Sequence, residues 1–140
     1  MKPASEFELP LRITLLAPPA GVQFCLQRGS DELIGEVEST GADLSFDLSV
    51  RVDGKLADGS PRFLGPFTQG PPTSRFVYIR CGTSAGQWGS PWTRRAKIPL
   101  TGITWPLIRK GTRLEARYAG TAKDGGPSCA TVPLLDGGWR

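Results

Sequence analysis

The chain has 140 residues, of which 39% are hydrophobic and 9% aromatic, enough for one core but not two, since halves of about 70 residues would each be marginal. Its net charge of +4 permits an anionic partner, yet the basic residues are spread along the chain without a stripe, which speaks against nucleic acid. Histidine is absent, which removes the commonest general base, the usual serine and cysteine triads and the commonest metal ligand.

Met1 to Pro10 carry Lys2, Glu6 and Glu8 and no apolar run. They cannot serve as a secretory h-region and read as a flexible extension. Residues 11–140 then form a single β domain, expected in the cytoplasm. Nowhere does the chain approach the roughly 20 apolar residues of a membrane helix.

Eighteen Gly and 13 Pro punctuate the sequence and leave few windows in which a helix could run unbroken. Leu11, Ile13 and Leu15 alternate with polar residues, as do Val22, Phe24 and Leu26, with a turn predicted at Ala17–Gly21. The clearest strand is Leu44 to Val52, whose apolar and polar residues alternate throughout. Asp53-Gly54 reads as the turn that follows it. Further strands are expected at Phe76 to Cys81, Arg94 to Leu100, Leu114 to Thr121 and Cys129 to Leu134, the last two as an antiparallel pair across Asp124-Gly125-Gly126. Pro99 and Pro133 cannot donate to a ladder and belong at strand ends, bulges or edges. One short helix is predicted over Thr104 to Lys110, capped by Thr104 and stopped by Gly111. The sum is an all-β fold, an antiparallel β-sandwich or partly open β-barrel of about seven strands with one short helix.

Chemistry is sparse. Cys25, Cys81 and Cys129 are odd in number, far apart and without a C-x-x-C pair, and so read as buried free thiols. Cys81 follows Arg80, but adjacent strand residues face opposite ways, so Arg80 does not activate it. Asp31 with Glu32, Glu36 with Glu38, or Asp43 with Asp47 could do acid–base work without histidine. Solvated surface acids are the simpler reading. No EF-hand spacing and no glycine-rich nucleotide cradle occurs, so no metal site and no cofactor is predicted.

Two loops stand out. Phe63 to Pro72 sets Phe63, Leu64 and Phe67 among glycines and prolines, either as a hydrophobic plug or as a binding rim. Cys81 to Trp92 is small and polar apart from Trp88 and Trp92, and Arg94 and Arg95 follow directly. Phe63, Phe67, Gln69, Trp88, Trp92, Arg94 and Arg95 are therefore the candidate site, because aromatics on loops supply much contact area at low entropy cost. The closing Leu134–Arg140 carries Trp139, which can fold back on the sheet or end a disordered tail.

The phrases Leu11-Arg12-Ile13, Ala17–Val22, Phe63–Phe67, Gln69–Pro72, Arg94–Lys97, Asp124–Pro127 and Leu134–Trp139 resemble those of a small bacterial family of uncharacterised proteins, a domain of unknown function. The resemblance spans about Leu11 to Trp139 and implies no activity, substrate or site.

The functional expectation is a non-catalytic binding module whose aromatic loops hold a small ligand or protein partner. One alternative is a histidine-free hydrolase or isomerase working through carboxylates and arginine. Weak nucleic-acid binding, tested by its salt dependence, is the other.

Overall fold

Alternation along Leu44–Lys55 settles the first sheet. In this strand, β4, Phe46, Leu48, Val50 and Val52 are buried while Ser45, Asp47, Ser49 and Arg51 are exposed. The computed structural model describes residues 6–18, 20–29, 32–83, 94–120, 131–133 and 138–140. Strand β1 (Glu6–Leu16) pairs antiparallel with β4 from Glu6↔Asp53 to Leu15↔Leu44. This register sets Arg12 opposite Asp47, where Nε and Nη2 reach Oδ1 and Oδ2 at 2.8 and 3.1 Å. It also sets Thr14 opposite Ser45, with the two hydroxyls 2.8 Å apart. The segment read as an N-terminal extension is thus strand from Glu6 onward, because its backbone completes the β4 ladder.

The other edge of β1 runs parallel to β9 (Leu114–Gly120), which pairs antiparallel with β10 (Thr131–Pro133). With β5 (Pro61–Leu64) beyond β4, the first sheet reads β10-β9-β1-β4-β5. The second contains β2 (Val22–Arg28), β3 (Glu32–Glu38), β6 (Thr68–Gln69), β7 (Phe76–Thr83) and β8 (Arg94–Pro99). Its order is β3-β2-β7-β6, with β8 along β7's remaining edge. The sheets bury Leu11, Ile13, Val50 and Val52 of one against Val22, Phe24, Val77, Ile79 and Ile98 of the other. The fold is an all-β sandwich of ten described strands, not a closed barrel, and its β1–β9 pair is parallel.

Three details differ from the sequence reading. Asp53-Gly54 is not a turn: Gly54 has φ +73° and the β4–β5 register slips between Val52 and Lys55, so the pair forms a bulge within β4. The reversal comes later, at Leu56–Ser60, where Gly59 N–H donates to Leu56 O at 2.9 Å. The helix α1 spans only Trp105–Arg109, and the Thr104 side chain makes no capping bond. Its docking supplies what propensity cannot at that length. Trp105 Nε1 donates to Gly59 O at 2.8 Å, and Leu107 and Ile108 pack against the core. Pro99 and Pro133 close β8 and β10 as expected.

The third difference concerns the cysteines. Cys25 is free and buried, but Cys81 is disulfide-bonded; Cys129 lies outside the described residues. Burial pushes the Cys25 thiol up to about 12, with Glu36 adding to the shift and Arg80 opposing it. Two results should follow. Native protein at pH 8 should resist iodoacetamide at Cys25 and react once unfolded, as peptide mass mapping would show. Folded protein also holds this proton after the unfolded thiol, near 8.5, has lost it. The contribution to stability is therefore intact below about pH 8.5 and falls by up to about 1.4 kcal/mol per pH unit above it. A urea midpoint that rises from pH 8 to 10 would contradict this.

Candidate functional site

The β7–β8 ladder ends at Phe76↔Pro99, and Leu100 N–H donates to Arg75 O at 3.0 Å just beyond it. There the chain turns, with Ile103 N–H reaching Leu100 O at 3.0 Å. Next to this turn lies the single-turn 3-10 helix Pro72–Ser74. Since Val77, Ile79 and Cys81 are buried in the core, period two puts Phe76 and Tyr78 on the outer face of the second sheet.

Phe76 is held from three sides. Its ring lies where a β-carbon on Gly70 would be, so only glycine leaves room for it, and Gly70 has φ +87°. Tyr78 meets it edge-on, with centroids 4.8 Å apart at 66°. Lys97 Nζ stands 4.6 Å from the ring centroid. Beside it, the Arg75 guanidinium is anchored by Nε to Phe63 O at 3.2 Å and by Nη1 to Gly70 O at 2.6 Å.

These residues shape a groove around this end of the sandwich. A cavity of about 550 Å³ is lined by Pro71, Ser74, Arg75, Phe76, Lys97, Pro99 and Thr101. Arg75 and Thr101 also line an adjoining space of about 130 Å³, floored by Phe63 and Ile103 and flanked by Asp58. Past Thr101 a third hollow, of about 300 Å³, continues to Trp105 and Pro106. Ligand pockets generally occupy roughly 300–1,000 Å³, so the cavity at Phe76 has the size of a binding site and the Phe63 space alone does not. Trp105 is braced by its bond to Gly59 and by Lys55 Nζ, 5.7 Å from its ring.

The residues expected from sequence divide. Phe63 is buried in β5 under the smaller space, and Phe67 is half-buried against the core. Gln69 sits opposite Phe76, but its amide donates to Gly29 O at 2.6 Å. Gln27 donates to the same carbonyl and accepts from Arg80. Arg94 and Arg95 open β8 opposite Cys81 and Arg80. Trp88 and Trp92 lie outside the described residues; the segment containing them leaves β7 after Thr83, seven residues beyond Phe76, or about 23 Å along an extended strand. Arg75, Phe76, Lys97, Thr101 and Trp105 are the groove residues that sequence reasoning missed. One signal was available: in Phe76–Cys81, once Val77, Ile79 and Cys81 form the core face, two aromatics remain for the other.

Three of the acids considered for catalysis have other tasks, and Asp31 lies outside the described residues. Asp47 is held below the usual carboxylate range by its hydrogen bonds to Arg12, with Arg113 3.7 Å away. Glu38 accepts from Gln23 at 3.2 Å, and Asp43 from the Ala17 N–H at 2.9 Å. Asp58, beside the groove, is also lowered, by the Ser60 hydroxyl and N–H. A general acid working near neutrality needs a shift in the opposite direction. Among the described residues, no three His, Cys, Asp or Glu side chains gather as a metal site, and no helix is long and apolar enough to cross a membrane.

Fold and groove together define a two-sheet β-sandwich domain with a recessed aromatic and basic end. A family model described as a family of unknown function, DUF5990, matches residues 9–140. The chain belongs to that family. Comparison with curated proteins and with solved structures returns no match.

Proposed function

We propose that this protein is a non-catalytic binding module that holds a small ligand, or a short segment of a protein partner, in the groove at the Phe76 end of the sandwich. The observation that carries this reading is the cavity of about 550 Å³ beside a Phe76 ring fixed by Gly70, Tyr78 and Lys97. A wall already immobile in the free protein loses little entropy on binding. Phe63 supports the floor and Trp105 extends the apolar lining; Trp88, Trp92, Arg94 and Arg95 are proposed as a separate contact patch, since Arg94 and Arg95 lie toward the other end of the β7–β8 ladder.

A fragment screen followed by amide chemical shifts tests it. Hits should perturb Ser74, Phe76, Lys97 and Thr101, and Phe76→Ala should weaken them at least tenfold, with the loss of its Tyr78 and Lys97 contacts read separately in the urea midpoint. Hits confined to the outer face of the first sheet would refute the assignment. The compartment proposed is the cytoplasm; the Cys81 disulfide stands against it, because structural disulfides are rare there. Mass mapping of protein alkylated during lysis in denaturant, where burial no longer shields a thiol, checks this: Cys81 protected from alkylation would favour an oxidising compartment instead.

A further inference from the structure

On the outer face of the first sheet, three arginines are matched to carboxylates, while the exposed Arg117 of β9 has none within ion-pair distance among the described residues. Arg12 lies 2.8 Å from Asp47, Arg62 3.0 Å from Asp53 and Arg51 3.6 Å from Glu6. At the groove the pattern changes. Among the described residues, neither Arg75 nor Lys97 has a carboxylate within ion-pair distance; their neighbours are the Phe63 and Gly70 carbonyls and the Phe76 ring. Among the described residues, no acid lines the 550 Å³ cavity that the two cations share. Asp58 flanks only the adjoining spaces, and its Oδ1 accepts from the Ser60 N–H at 2.9 Å and from the Ser60 hydroxyl.

From this we infer that the groove selects an anion, namely a carboxylate or phosphate group carried on a flat apolar body. The inference rests on the binding reading above and specifies its ligand class. Arg75 is suited to the charged group because Nε and Nη1 are already fixed to carbonyls while Nη2 has no hydrogen bond among the described residues. A guanidinium oriented before binding presents its donors without further ordering and matches the oxygen spacing of carboxylate and phosphate. Lys97 adds a second positive charge at the same cavity. Ser74 and Thr101 are neutral hydroxyl donors on its lining, and Phe76 with Pro71 and Pro99 provides the apolar walls.

The test compares benzoate and phenyl phosphate with neutral benzamide, by calorimetry and amide shifts on the full chain, at 50 and 500 mM salt. The anions should bind at least tenfold more tightly than benzamide. Raising the salt should weaken them several-fold, because an open groove is screened. Lys97→Gln, at an exposed position, should weaken the anions at least threefold without shifting the urea midpoint. Arg75→Lys should weaken them further, and its midpoint would show separately any loss of the carbonyl anchors. If benzamide binds as tightly as benzoate and Lys97→Gln changes nothing, anion selection is overturned while groove binding stands. If no compound perturbs the groove, both readings fall.

Discussion

Trp139→Ala should destabilise the protein by about 3–5 kcal/mol, the range for removing a buried large aromatic. Trp139 is 7% exposed although it is the penultimate residue. Its Nε1 donates to Pro99 O at 2.8 Å, and its Cδ1 would lie 3.5 Å from a β-carbon on Gly102. The flanking backbone is fixed as well: Arg140 and Glu115 exchange N–H···O bonds of 2.8 and 3.1 Å. The indole therefore joins the end of β9 that starts at Leu114 to the end of β8 that borders the groove. Trp139→Phe separates packing from hydrogen bonding, since it keeps most of the ring but loses the donor, and should cost only about 1 kcal/mol beyond the difference in size. Urea denaturation reads both. An alanine variant within 1 kcal/mol of wild type would mean that the C-terminus contributes no packing to the core.

Why β4 could be read from the sequence and β3 could not is a matter of faces. Between Leu44 and Val52 one face meets the core and the other meets water, so alternation is uninterrupted. β3 is an edge strand with a break: Gly35 has φ +70°, and the β2–β3 register slips between Phe24 and Leu26. That extra residue moves Leu33, Ile34 and Val37 out of period two, and no window shows a pattern. β5 and β6 were obscured differently, being four and two residues long on either side of Gly65-Pro66-Phe67. Strands that short owe their existence to neighbours, β4 for one and β7 for the other, which lie outside any local window.

The groove was less legible than the fold for a related reason. Its parts come from Gly70, Arg75, Phe76, Lys97 and Thr101, and the contact between Phe76 and Lys97 exists only because β7 and β8 pair in one register. Aromatic loops drew attention to Phe63 and Phe67, and the structure uses Phe63 mainly as floor and Phe67 as packing. The arginine that orders the site was unremarkable in sequence; Arg75 matters because two carbonyls point at it. Cysteine arithmetic failed on a simpler point: an odd count is compatible with one disulfide plus a buried free thiol, which describes Cys81 and Cys25.

Gly70→Ala should have the second large effect, on the groove more than on the fold. At φ +87° a β-carbon brings backbone strain, typically about 1–2 kcal/mol. It would also occupy the position of the Phe76 ring. A ring on an open surface would swing aside at little cost. This one is restrained by Tyr78 and Lys97, so moving it breaks both contacts and opens the cavity wall. Gly41→Ala is the control, since Gly41 has φ +93° and, among the described residues, nothing lies within 4 Å of its β-carbon position. Both variants should lose about the same backbone term in urea unfolding, with Gly70→Ala losing more. Only Gly70→Ala should shift the Phe76 and Tyr78 ring resonances and weaken groove ligands at least tenfold. Equal losses with unchanged aromatic shifts would mean that the ring is not held by Gly70, and the preformed wall on which the binding reading depends would be gone.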